Sequence, residues 1–458
     1  MEGQPGPGRA GPGGAPRGPA RGPARRRLGL AGRGAAAHRR GDGGRGPVAV
    51  APRDAGVPAP GPAGWAGGAP RCPPLAAARP RVRALRLGQR RRPHGAGAGD
   101  RAAGAGVPAV PVRHVRRLRA APAAGPPVTG PGDYAGRRVL VAGGLGFIGV
   151  HLLRALRGSG ADVRALVSPG SYARCRAAGW LAELGDVDFV PGDALDTDVA
   201  ARAVAGREVV FNLVGSADAA GGDERPLADL DANARAQLVL LDALHRDGGQ
   251  ATVVLASSRL VYAPRLPCPV PESAPLRPTL LYGVHKVAAE QYHQFYARRH
   301  GLRAVALRLS NTYGPSLPHQ RQTGVVAALA VRAARGECLT VYGDGAQLRD
   351  FVHVSDVARA FLAAGAGPSD GVRVLNVGTG QGRSVHALAE LIAGLAGVTV
   401  ARVPWPAGVV ETEPGDFVAD VRAIRSALGW EPLVGLEQGL ADLLPARGRR
   451  RLPAGGQW

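Results

Sequence analysis

Lysine is almost missing from this chain: of 58 basic residues in 458, only Lys286 is lysine and the rest are arginine. Methionine occurs once, as Met1, and aromatic residues make up 4%. No run of 18 apolar residues occurs, so no membrane-spanning helix is expected. No apolar segment of signal-peptide type follows the early arginines. The four cysteines, Cys72, Cys175, Cys268 and Cys338, lie far apart in sequence and form neither a zinc pattern nor a disulfide framework. A metal site is therefore not expected, and a reducing cytoplasm is.

Acids are nearly missing from residues 1–132, where Glu2, Asp42, Asp54 and Asp100 face 24 arginines. That segment carries +20 of the total +23, leaving +3 for residues 133–458 and no basic stripe for nucleic acid. Leu, Val, Ile and Phe number 15 in the segment, and Trp65 is its only aromatic residue. Burial of so little apolar surface cannot offset chain entropy, so residues 1–132 are expected to be disordered. A second reading treats them as the product of an upstream or wrong-frame start in a GC-rich gene. Val128 would then mark the initiator if its codon were GTG.

From Asp133 the pattern changes. Short apolar stretches at 139–142, 163–167, 187–190, 208–213, 252–256 and 303–309 alternate with helical periodicity, notably at 227–245. Ile148, Leu152, Leu153 and Leu156 share one helical face. This alternation predicts an α/β fold with a doubly wound parallel Rossmann sheet. Residues 133–310 are expected to form the dinucleotide-binding domain. Residues 311–452 are expected to form mainly a smaller C-terminal α/β substrate part, with a strand near 372–377 returning to the core.

Gly143, Gly146 and Gly149, with Gly144 between them, lie between the first strand and the first helix. In that context they let backbone approach a pyrophosphate seated on the helix N-terminus. Tyr282 and Lys286 are four residues apart and share a helix face. An ammonium beside a phenol is expected to lower the phenol's pKa towards working pH and make a general acid/base. Arginine would bring a broader, forked head group, which suggests why lysine stands here alone. Ser258, 24 residues upstream, ends a strand and can hold the same substrate oxygen.

The glycines, "SSRLVY" and "YGVHK" in that order resemble the extended short-chain dehydrogenases/reductases, the NAD-dependent epimerase/dehydratase family acting on nucleotide sugars. "LRLSNTYGP" (307–315), "VYGDGAQLRDFVHVSDVARA" (341–360), "LNVGTG" (375–380) and "LGWEP" (428–432) extend the resemblance over about residues 135–445. It implies Ser258, Tyr282 and Lys286 as the catalytic triad. Gly143, Gly146, Phe147, Ile148 and Gly149 would hold the cofactor pyrophosphate, and Asp193 with Ala194 would meet its adenine. Leu213, Val214, Gly215 and Asn233 would line the ribose and nicotinamide. Asn311 and Arg349 would face the substrate's diphosphate, although Arg349 also reads as a structural ion-pair partner. Asp356 reads as the cap of the following helix. A homodimer is implied as well.

Departures from the family matter. Val167 and Ser168 stand where an acid usually selects NAD, so NADP remains possible, with Ser168, Arg174 or Arg176 as candidates for its extra phosphate. Arg259 and Leu260 follow Ser258, where dehydratases have Asp and Glu and decarboxylases an acid. The resemblance therefore implies an epimerase that oxidises a nucleotide-diphosphate sugar to a keto-sugar and re-reduces it with bound NAD, most naturally at C4. A reductase or dehydratase, and a non-catalytic cofactor-binding scaffold, are the alternatives.

Overall fold

A computed structural model describes residues 131–248, 250–317, 320, 324–367, 372–406 and 413–444. The expectations for residues 1–130 and 445–452 lie outside the described residues.

The first half builds strands β1 (Arg138–Ala142), β2 (Asp162–Val167), β3 (Val187–Pro191), β4 (Val209–Asn212), β5 (Thr252–Ser258) and β6 (Arg303–Leu309). Helices α1 (Phe147–Leu156), α2 (Pro169–Ala177) and α3 (Thr197–Val204) alternate with the first four. Between β4 and β5 run α4 (Ala219–Glu224), α5 (Pro226–Leu230) and α6 (Ala236–Arg246), and α7 (Leu281–His300) precedes β6. The second half adds β7 (Asn311–Tyr313), α8 (Val325–Ala334), β8 (Leu339–Tyr342), β9 (Leu348–His353) and α9 (Val354–Ala366). It continues with β10 (Val372–Val377), β11 (Gly382–Ser384), α10 (Val385–Ala396) and β12 (Val400–Val403).

Seven strands form one parallel sheet in the order β3-β2-β1-β4-β5-β6-β10. Order reverses between β1 and β4, and at such a switch point the carboxyl ends of the strands open a crevice. Helices cover both faces, so β1 is apolar at every buried position. Val139 and Val141 pack with Leu152, Leu153 and Phe361 on one side. Leu140 and Ala142 pack with Leu240, Leu241 and Leu244 on the other. Burying each of these valine, leucine and phenylalanine side chains contributes about 1.5–3 kcal/mol.

Two further sheets, β11-β9-β7 and β12-β8, belong to the second half. Tyr313, Leu329, Leu339, Leu388, Ile392 and Leu440 give that region a second core.

The helical pattern of residues 227–245 forms as three pieces. A π-turn over Asp231–Arg235 joins α5 to α6 and carries Asn233. Such one-turn π segments concentrate at functional sites. Asp356 does not cap α9: His353 does, its Nδ1 accepting the Ser355 N–H. Asp356 is buried in the first turn instead, where Oδ1 accepts from Arg359 and Oδ2 from the Val434 N–H.

Candidate functional site

The switch-point crevice begins at the glycine loop. β1 ends at Ala142 and α1 starts at Phe147, with Gly146 at the N-cap and no side chain capping the helix. The first N–H groups of α1 therefore have no capping side chain, and the helix dipole adds positive character to them. A Cβ on Gly149 would stand 2.4 Å from the Gly143 carbonyl oxygen, so only glycine allows this closeness of loop and helix. Phe147 and Ile148 are half-buried beside it. Leu213 is tied to the loop's flank by its N–H to the Ala142 carbonyl, 2.9 Å.

Leu213, Val214 and Gly215 leave β4 and cross the crevice. The Val214 carbonyl accepts from Gln237 Nε2 at 2.9 Å. Gly215 has φ +150°, and a Cβ there would stand 2.6 Å from Asn233 Oδ1 and 3.0 Å from Lys286 Nζ. Any side chain would fill the space in front of the lysine.

Asn233 is fully buried, and its Oδ1 accepts the Ser216 N–H at 3.2 Å. Its Nδ2 donates to Asp229 Oδ1 at 2.8 Å, while Asp229 Oδ2 lies 2.6 Å from His285 Nδ1. Sequence reasoning missed Asp229 and His285. His285 sits inside "YGVHK", but Asp229 lies 56 residues away and only the fold makes them neighbours.

Ser258 ends β5, where its Oγ accepts the Leu260 N–H at 3.2 Å, and its hydroxyl acts to lower the pKa of the Tyr282 phenol. Tyr282 and Lys286 sit on α7, with Nζ 5.7 Å from the phenol ring centroid. Both are buried. The expected depression of the phenol's pKa is reversed. Burial pushes Tyr282 up to about 12, with the Asp229 charge adding to the rise against the Ser258 hydrogen bond. Burial also pushes Lys286 down to about 8, although Asp229 and Glu290 favour its charge. Desolvation outweighs the pairwise attraction because both groups leave water together.

Beneath them lies a buried ionic network. Glu290 receives Arg308 Nε at 2.9 Å and Nη2 at 2.7 Å, and the Ser257 hydroxyl at 2.5 Å. Arg308 Nη1 reaches the Tyr262 hydroxyl, which donates to Asn376 Oδ1 at 2.6 Å. This network ties β5, α7, β6 and β10 together under the serine.

Asp193 is exposed and accepts the Leu195 N–H, with Ala194 half-buried beside it. Val167 is buried, and Ser168 caps α2. Ser171 links Ser168 to Arg174 through hydroxyl contacts of 3.0 and 3.3 Å. Asn311 Oδ1 is buried and has no hydrogen-bond partner among the described residues. Arg349 pairs with Glu413 and donates to the carbonyls of Leu348 and Gly415.

The family model described as NAD dependent epimerase/dehydratase matches residues 139–378. UDP-glucose 4-epimerase of Mycolicibacterium smegmatis is 31% identical over 308 residues, covering 66% of this chain and 96% of that one. UDP-glucuronic acid decarboxylase 1 of Xenopus tropicalis is 29% identical over 320 residues, covering 69% and 73%. The solved structure of MoeE5 in complex with UDP-glucuronic acid and NAD superposes with a TM-score of 0.58 at 33% identity, covering 67% and 97%.

Proposed function

We propose, because this chain belongs to the NAD dependent epimerase/dehydratase family, that it is a nucleotide-sugar epimerase working by transient oxidation and re-reduction, with C4 as the reacting carbon. The observation that carries this reading is the Ser258–Tyr282–Lys286 cluster in the switch-point crevice, with Arg259 and Leu260 after the serine. Dehydration or decarboxylation in this family uses an acid at those positions, and here there is none.

The crevice fits NAD. The glycine loop leaves room against the uncapped start of α1 for the pyrophosphate, held at Gly143, Gly146, Phe147, Ile148 and Gly149. Asp193 and Ala194 would take the adenine end, and Leu213, Val214, Gly215 and Asn233 the ribose and nicotinamide end. Lys286 would bind the ribose hydroxyls. NAD supplies a hydride acceptor whose ring is positively charged when oxidised.

Tyr282 removes the proton from the sugar hydroxyl, and Ser258 holds that oxygen. In the protein alone the phenolate–ammonium pair does not form, because Lys286 loses its proton near pH 8 and Tyr282 keeps its own to about pH 12. Tyr282 becomes a base only when more positive charge stands beside it. On the return step the same phenol gives the proton back.

Asn311 and Arg349 are the candidates for the diphosphate, and residues 133–310 and 311–452 for the cofactor and substrate parts. A homodimer is consistent with Phe295, which is 59% exposed on α7, and light scattering checks it. A cytoplasmic location is the expected one. Among the described residues no helix is long and apolar enough to cross a membrane.

Purified protein is expected to interconvert the C4 epimers of a UDP- or dTDP-hexose without added reductant. Stoichiometric consumption of NADPH with a keto-sugar would make it a reductase instead. Gly149→Ala is expected to weaken NAD binding at least about 10-fold by calorimetry, since its Cβ must displace the loop carbonyl. Unchanged affinity would remove the loop from the cofactor site.

A further inference from the structure

Lys286 is 4% exposed, and among the described residues its ammonium makes no hydrogen bond or ion pair. Two carboxylates favour its charge, Asp229 more than Glu290. Glu290 receives two hydrogen bonds from Arg308, whose guanidinium balances it. Asp229, on α5, is buried as well and pairs with no arginine among the described residues. Its partners are an amide and an imidazole, Asn233 Nδ2 at 2.8 Å and His285 Nδ1 at 2.6 Å.

This carboxylate also sets which way the Asn233 amide faces. A carboxylate accepts hydrogen bonds and donates none, so Asn233 turns Nδ2 towards it. Oδ1 is left for the Ser216 N–H, at 3.2 Å. A Cβ placed on Gly215 would stand 2.6 Å from that oxygen and 3.0 Å from Lys286 Nζ, so the two flank one small space. With the amide reversed, an NH2 group would face the ammonium, and the Ser216 N–H would lose its acceptor. His285, the residue before Lys286, is held by the same carboxylate because α5 packs against α7.

We propose that Asp229 is a positioning residue: its carboxylate orients Asn233 and His285 and supplies the counter-charge of the Lys286 ammonium. The inference rests on the proposed function only for what Lys286 does in the reaction. Other charged groups on the surrounding elements are engaged or exposed. Asp223 on α4 accepts the Leu281 N–H, Arg225 pairs with Asp218, and Arg235 of the π-turn pairs with Asp231. Glu224 is exposed, and Arg259 lies over the Phe417 ring. Tyr282 and His293, on the buried face of α7, are neutral at pH 7, because burial pushes them to about 12 and about 4.

The test uses the fact that Lys286 is the only lysine. Lysine labelled with carbon-13 at Cε gives one resonance in the full chain, and its pH titration reads this ammonium alone. The wild-type midpoint is expected at about 8. Asp229→Asn keeps the shape without the charge and is expected to lower the midpoint by about one unit. Glu290→Gln should lower it less. His285→Asn keeps a donor to the carboxylate and should leave it in place. The alkaline limb of kcat for C4 exchange should follow the same order. Above that limb Asp229→Asn should turn over about 10-fold more slowly at a given pH, with KM little changed. An unmoved resonance midpoint in Asp229→Asn overturns the proposal, as does a larger shift in Glu290→Gln. An equal shift in His285→Asn also overturns it, because the imidazole would then be the source. A lower kcat with an unmoved limb would leave Asp229 a packing role only and overturn it too. A wild type without C4 exchange, whose midpoint still falls in Asp229→Asn, would remove the epimerase reading and leave this one standing.

Discussion

Lys286→Arg is expected to fold normally and lose on the order of 100-fold in kcat, the cost of displacing reacting groups by about 1 Å. Lys286 is buried, with Gly215 in front of it and Tyr282 one turn away, and there is no room for a guanidinium without moving the phenol. Lys286→Met is expected to be inactive yet more stable. The folded chain holds Lys286 at about 8 against 10.5 when solvated, so between these values the unfolded chain binds more protons. The cost of burying the ammonium is complete below pH 8 and fades as pH rises towards 10.5. Methionine removes a cost on the order of 3 kcal/mol at pH 7, and the gain should shrink through that window. Urea unfolding of both proteins at pH 7 and pH 10 measures it. A gain that stays constant with pH would show that the ammonium is not its source.

Glu290→Ala is expected to destabilise the protein by roughly 3–5 kcal/mol, because it leaves Arg308 buried without its counter-charge. Arg308, held to Glu290 by two hydrogen bonds, has its pKa raised above the ordinary guanidinium value. The loss should show as a lower urea midpoint with an unchanged slope. Activity should fall too, since Glu290 also anchors Ser257 beside Ser258 and its charge helps keep Lys286 protonated. In Glu290→Gln the alkaline limb of the rate profile should therefore move to lower pH. A midpoint within about 0.5 kcal/mol of wild type would mean the network contributes nothing net to stability.

Much of the fold was legible because it depends on local pattern. The β-branched run of β1, the glycines after it and the apolar face of α1 each specify their own conformation. Strands interrupted by helices leave little choice but a parallel sheet. Tyr282 and Lys286 are likewise a matter of helical spacing, and Ser258 follows from a strand ending in serines.

What the sequence could not contain was distance between remote residues and the dielectric around them. Asp229 reaches His285, 56 residues on, only because α5 packs against α7, and nothing in "DANAR" announces the π-turn that carries Asn233. Arg349 as a partner of Glu413, 64 residues away, is an outcome of how β9 meets the 413–417 segment. The clearest case is the phenol. Spacing alone puts an ammonium beside it and predicts a lowered pKa, whereas packing buries both groups and raises it to about 12. The sequence determines which charges are neighbours along a helix. The tertiary structure decides how much water each keeps, and desolvation is the larger effect here.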